Sequence, residues 1–269
     1  MTERDRWECL ALVGLITCHR STTINGGSRE RSGWHRSKEP RQAQRTRGCG
    51  LVITGIDMTR LPLDLPLRCR CGHVQGVANE IAPSTGFRLV CYCKDCQAFA
   101  RFLERPDVLD AAGGTDIFQM PTGRVKLTAG TNAVRCVRFS SKVFRWYTDC
   151  CRTPVGNTAA GPRFPVVGLI HSFMSYEADG PSRDGVLGLP LCRIFERSAV
   201  GPLPPNAAPA PSLAVFALRG SRLFGWWLRG LGSPTPFFDD FTKAPLSPPQ
   251  LLTPRERKHR QSTALEDEG

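Results

Sequence analysis

The chain has 269 residues, of which 41% are hydrophobic, and its formal net charge is +12. This composition supports a folded core, whereas 22 Pro and 26 Gly favour short strands and loops over a protein of long helices. The positive charge is spread over both ends without a basic stripe interleaved with aromatic residues, so nucleic-acid binding is not favoured.

Residues 1–57 are polar and arginine-rich, and they show no helical or strand period. We predict that this segment is disordered, or that the true start is Met58. The apolar run from Trp7 to Thr17 is too short to span a bilayer, and no small-residue cleavage site follows it. A cytoplasmic location, in a reducing environment, is therefore expected.

Residues 58–175 alternate short apolar runs with turn signals, which is typical of a mainly β domain. One helix is expected at 96–105, where Phe99, Phe102 and Leu103 recur at helical spacing. The predicted strands are 67–78, 87–93, 116–120, 124–130, 133–140, 142–148 and 164–174.

Residues 176–269 form a Pro-rich, partly irregular extension with a possible amphipathic helix at 213–232. In helical projection the arginines of this segment share one sector, and large apolar side chains such as Phe224 and Trp227 share another. Two interpretations remain open, a helix lying on a membrane surface and a helix packing its apolar face on the β domain. The second is favoured.

Seven of the twelve cysteines fall into three tight clusters. In a reducing compartment such clusters favour metal binding over disulfides. Cys69 and Cys71 in an extended strand would present their sulfurs together, and pairing them with the distal cluster of Cys150 and Cys151 would complete one zinc site. Adjacent cysteines point in different directions in a regular strand, so Cys150 and Cys151 need not both bind the same ion, whereas in a turn either could.

The middle cluster, "CYCKDCQ", supplies three corners of a second zinc site through Cys91, Cys93 and Cys96. Three thiolates on zinc leave one tetrahedral position open, which is the mark of a catalytic rather than a closed site. The lone Cys136 and Cys192 are interpreted as core or loop thiols.

The motifs "RCRCGHVQG", "VCYCKDCQAF" and "RWYTDCCRTPVGNT" resemble those of the glutathione-dependent formaldehyde-activating enzyme and centromere protein V family. The resemblance covers roughly residues 66–175 and implies an Mss4-like β-tent. It also implies a structural zinc on the first and distal pairs and an activity-linked zinc on the triplet. The distal motif departs from the family's Cys-x-x-Cys-Gly, because Thr148 and Arg152 stand where its first cysteine and glycine are expected.

The resemblance implies a carbon–sulfur lyase that joins glutathione and formaldehyde as S-hydroxymethylglutathione. Glutathione is anionic, and Lys94, Arg101 or Arg105 are candidates to bind its carboxylates. His73 and His171 are interpreted as ordinary strand side chains rather than as bases or ligands. The alternative is a noncatalytic zinc scaffold that binds a protein or nucleic-acid partner.

Overall fold

The computed structural model describes residues 61–176, 180–252 and 256. The predictions for residues 1–57 and for Met58 lie outside these ranges. Within them, no helix has the length and apolar character needed to cross a membrane.

The described chain is mainly β, as the sequence predicts, with eleven strands and three helices. The strands are β1 Leu63–Arg68, β2 Gln75–Ile81, β3 Phe87–Cys91, β4 Thr115–Met120, β5 Val125–Ala129, β6 Val134–Arg138, β7 Val143–Thr148, β8 Pro154–Ala159, β9 Val167–Ile170, β10 Cys192–Ile194 and β11 Pro249–Leu251. The helices are α1 Lys94–Phe102, α2 Arg183–Leu187 and α3 Leu213–Leu228.

The strands form two sheets, one of three strands in the order β1-β2-β5 and one of eight in the order β10-β3-β4-β9-β8-β7-β6-β11. All neighbours pair antiparallel except the two edge strands, β10 on β3 and β11 on β6, which pair parallel. The predicted first strand at 67–78 is in fact two strands, β1 and β2, separated by a tight connection that carries Cys69 and Cys71.

The main core lies between the two sheets, where Leu67 and Val125 of the small sheet pack with Trp146 and Leu169 of the large one. Alternation along β7 places Trp146 in this core and Arg145 and Tyr147 on the opposite face. There α1 covers the large sheet with Phe99 and Phe102. The large sheet is therefore buried on both faces.

The described residues after 175 belong to the same folded unit. β10 and β11 extend both edges of the large sheet, and Phe237 packs on Trp146 with ring centroids 5.2 Å apart. The segment therefore contributes to the core as well as to the surface.

Helix α3 coincides with the predicted amphipathic segment, but its apolar face points away from the β domain, which is the reverse of the favoured interpretation. Two of the three arginines of this segment, Arg219 and Arg222, face the protein, and Arg219 donates from Nε to Gln119 Oε1 at 2.7 Å. Its apolar sector points outward, with Phe224 and Trp227 exposed. The expectation that the apolar face packs on the β domain is wrong, because helical periodicity defines two faces without saying which one meets the protein.

Candidate metal centres

Four cysteines meet where two strand connections converge. Cys69 and Cys71 lie in the connection between β1 and β2, and Cys150 and Cys151 lie in the connection between β7 and β8. This corrects the expectation that the first pair sits in an extended strand. Gly72, at φ 77°, closes the first connection with a hydrogen bond from its N–H to the Cys69 carbonyl at 2.8 Å. We call these four cysteines the four-cysteine group.

The sulfur spacing of the four-cysteine group fits one metal ion. Cys71 Sγ and Cys150 Sγ are 3.4 Å apart, Cys69 Sγ lies 3.6 and 3.8 Å from them, and Cys150 Sγ is 3.9 Å from Cys151 Sγ. A tetrahedron with metal–sulfur bonds of about 2.3 Å has edges of about 3.8 Å, whereas a disulfide needs about 2.05 Å. The donor set and its spacing therefore fit a tetrahedral thiolate site.

Backbone and hydroxyl donors support the thiolates of this group. Burial raises the pKa of Cys69, and the Val74 N–H, which donates to Cys69 Sγ at 3.2 Å, acts in the opposite direction. Burial would raise the pKa of Cys151, but hydrogen bonds, first from Thr148 and Thr153, hold it at about 5. These contacts favour the charged form that binds a metal.

Cys150 and Cys151 are adjacent in sequence, yet both sulfurs belong to the four-cysteine group. Cys150 Sγ lies among the other three sulfurs. Thr148 Oγ1 lies 3.5 Å from Cys151 Sγ. Arg152 adopts φ 58°, the left-handed conformation that a glycine would take without strain.

Three further cysteines, the three-cysteine group, meet where β3 passes into α1. Cys91 ends β3, Cys93 is the N-cap of α1, and Cys96 lies in its first turn. This corrects the expectation that Cys93 continues the strand. Their sulfurs lie within 4.8 Å of one another, and no fourth histidine, cysteine or carboxylate from the described ranges joins them. The group therefore offers a metal three ligands.

The three-cysteine group is buried except at Cys93. Cys91 and Cys96 are 0% and 3% exposed, whereas Cys93 is partly exposed. Leu191 and Ile194 of the C-terminal segment pack against the same cluster. Cys93 is therefore the member of the group nearest the surface.

Arg145 adds a buried positive charge to the three-cysteine group. It is 1% exposed and donates from Nη1 to Cys96 Sγ at 3.5 Å and to Asn157 Oδ1 at 3.1 Å. Its guanidinium also lies over the rings of Phe99 and Phe139. Because neither the amide nor the rings carry a formal charge, Cys96 is, among the described residues, the hydrogen-bond partner of Arg145 that can carry a negative charge.

The pKa directions agree with this pairing. Hydrogen bonds from Cys91 and Cys93, together with the charge of Arg145, hold the pKa of Cys96 well below its usual value. Burial alone would lower the pKa of Arg145, but attraction from Cys96 and Cys93 raises it. A divalent ion and Arg145 together would balance three thiolates, so the buried group would carry no net charge.

The three predicted substrate-binding residues lie in different surroundings. Lys94 is exposed at the start of α1, next to Cys93. Arg101 is half-buried in the last turn of α1. Arg105 pairs with Asp107 at 2.7 Å and donates to Thr153, which contacts Cys151, so it lies beside the four-cysteine group instead.

The remaining candidate residues lie outside both groups. His73 is exposed, and Nδ1 of His171 lies 3.4 Å from the Asp116 carbonyl. Cys136 packs in the main core, and Cys192 packs near the three-cysteine group without joining it. Arg145 was not identified from the sequence. Its signal was a single arginine within the otherwise apolar run "VFRWYT".

We expect Arg145→Met to weaken metal binding at the three-cysteine group by about 10–100-fold, because outer contacts to metal ligands typically contribute that much. The four-cysteine group should keep its affinity. Competition with a chelator, followed separately for each of the two bound metal ions, measures the affinities of the three-cysteine and four-cysteine groups. Arg145→Lys keeps the charge and should lose less of this metal affinity. Equal affinities in wild type and both variants would contradict a role for Arg145 in metal binding.

A family model described as "Family of unknown function (DUF6151)" matches residues 62–241, more than half of the chain. The matched range contains all seven clustered cysteines, Arg145 and α3. No curated protein matches the sequence.

Proposed function

Since the chain belongs to the family of unknown function DUF6151, we propose its function from the chemistry of its cysteines. It is a two-zinc protein that acts as a carbon–sulfur lyase on adducts of aldehydes with a small thiol such as glutathione. The observation that carries the proposal is the contrast between four converging thiols at one group and three at the other.

The four-cysteine group supplies a complete tetrahedron from protein residues, which suits a structural zinc. It joins two connections that are about 80 residues apart in sequence, at the edge of the main core. Its role in the proposal is to hold the two sheets together.

The three-cysteine group leaves one tetrahedral corner without a protein ligand among the described residues. A zinc bound there would supply a Lewis acid at which a substrate thiol loses its proton readily. Cys93 is the partly exposed member, and the N-terminus of α1 and Arg145 place positive charge against the thiolates. Exposed Lys94, next to Cys93 in sequence, suits the carboxylates of glutathione.

In the synthetic direction the thiol sulfur forms a bond to the aldehyde carbon. The carbonyl electron pair moves to oxygen, which takes up a proton in place of the one lost by the thiol. The product is a hemithioacetal, such as S-hydroxymethylglutathione from glutathione and formaldehyde. No redox partner is needed, because the step only adds the thiol across the carbonyl.

The alternative is a noncatalytic zinc scaffold that binds a partner. The burial of Cys91 and Cys96 under the C-terminal segment favours it, since of the three cysteines only Cys93 is even partly exposed. A scaffold would bind both metals and leave the aldehyde unchanged.

The test is formaldehyde consumption by the purified full chain with and without glutathione. The lyase should consume formaldehyde faster than the uncatalysed reaction, and only when the thiol is present. If the rate equals the uncatalysed rate while both metals are bound, the lyase is excluded and the scaffold becomes the better assignment.

A further inference from the structure

The orientation of α3 is held by contacts at its arginine face and at its N-terminus. Arg219 donates to Gln119, and Arg222 donates to the carbonyls of Gly86 and Pro83. Ser212 caps the first turn by accepting from the Val215 N–H at 3.3 Å. Rolling the helix to bury its other face would break the arginine bonds.

The opposite face of α3 is a row of large apolar side chains, which we call the apolar face of α3. Its members recur at helical spacing, and each is at least 40% exposed: Leu213, Phe216, Phe224, Trp227 and Leu228. The rings of Phe224 and Trp227 stack with centroids 6.1 Å apart. Ala217 and Gly220, between them, are also exposed. A contiguous exposed apolar surface of this kind marks an interaction site.

Charge distinguishes between the surfaces that this face could meet. From Arg197 to Phe238 the chain contains four arginines and no aspartate or glutamate, and the whole chain carries +12. Arg229, the C-cap residue of α3, is exposed. A second copy of the chain would bring like charges together, whereas a negatively charged surface would attract this segment.

Phenylalanine, tryptophan and leucine on one helix face, in a segment that carries arginines and no acidic residue, are the side chains that bind the boundary between lipid headgroups and acyl chains. We propose that α3 is an interfacial helix that lays its apolar face on an anionic lipid bilayer. The helix lies on the bilayer and does not cross it. This inference does not depend on the chemistry of the cysteine groups.

The experiment is co-sedimentation of the metal-loaded full chain with two kinds of vesicle, phosphatidylcholine alone and an equimolar phosphatidylcholine–phosphatidylserine mixture. We expect binding to the mixture, weaker binding to phosphatidylcholine, and a blue shift of tryptophan emission on binding. The double variant Phe224→Ser/Trp227→Ser should bind the mixture at least about tenfold more weakly, because two buried aromatic side chains are lost.

The double variant keeps every charged residue, so it separates apolar insertion from simple attraction. Both side chains are exposed, and the variant should therefore retain its metal content and its circular dichroism spectrum. The matched control is Phe241→Ser, since Phe241 is 95% exposed but lies outside α3. It should bind the mixture as wild type does.

Three results would overturn the proposal. The first is no binding to either vesicle, and the second is binding that the double substitution leaves unchanged. The third is a wild-type dimer in solution that the double substitution dissociates, which would assign the apolar face of α3 to a second copy.

Discussion

Replacing Cys69 with serine is expected to remove one metal ion and to destabilise the fold severely. Cys69 is 1% exposed, and its sulfur lies within 3.8 Å of Cys71 Sγ and Cys150 Sγ. Structural zinc contributes about 10–16 kcal/mol of apparent binding free energy, whereas a domain's unfolding free energy is only about 5–15 kcal/mol. Loss of this ion therefore removes a free energy as large as the whole unfolding free energy of the domain.

Metal analysis and thermal unfolding of Cys69→Ser measure the two effects. The matched control is Cys136→Ser, since Cys136 is also 1% exposed but belongs to neither group. The control should keep both metals and lose only about 1–3 kcal/mol, the cost of burying a hydroxyl. If Cys69→Ser keeps the wild-type metal content and melting temperature, the four-cysteine group is not a structural metal site.

The second large effect is expected at the three-cysteine group, where Cys93→Ser should remove the other metal without unfolding the chain. Cys93 is the partly exposed member, and its group joins neighbouring segments rather than distant ones. The loss should therefore abolish thiol-dependent aldehyde consumption while leaving the secondary structure and most of the stability intact.

The control for Cys93→Ser is Cys192→Ser. Cys192 is 2% exposed and packs in the same apolar cluster as Cys91 and Cys96, yet its sulfur is outside the ligand group. It should keep two metals and the wild-type rate. A Cys93→Ser protein with two metals and full activity would show that the three-cysteine group is not the reactive centre.

The candidate metal ligands could be predicted from the sequence because their signal is local. Three of the seven cysteines lie within six residues in "CYCKDCQ", and in a reducing compartment so tight a thiol cluster is typical of a metal site. The conformations around the cysteines were less predictable. A Cys-x-Cys pair suits a strand and a turn equally, and the structure places Cys69 and Cys71 in a turn.

Features that depend on distant partners could not be predicted in the same way. β8 has the sequence "PVGNTA", a run of turn-forming and small residues. It is a strand because its two edges pair with β7 and β9 and all of its residues are buried. β10 and β11 are three-residue strands that exist through parallel pairing with β3 and β6. Such pairings leave no periodic pattern in a short segment.

Arg145 and α3 show the same limit at the level of side chains. A single arginine in an apolar strand indicates a buried charge without naming its partner, and here the partner is Cys96, 49 residues earlier. For α3 the helical periodicity separates the arginines from the aromatic residues. The carbonyls and the amide that accept the hydrogen bonds of these arginines, however, belong to residues far away in sequence. Those acceptors decide which face of the helix turns inward.

The most direct test of the two-metal proposal is the metal content of the purified full chain, measured by elemental analysis together with free-thiol titration. We predict two zinc ions per chain, falling to one in Cys93→Ser. A folded wild-type chain that contains no zinc and does not take it up would contradict both metal centres and the function built on them.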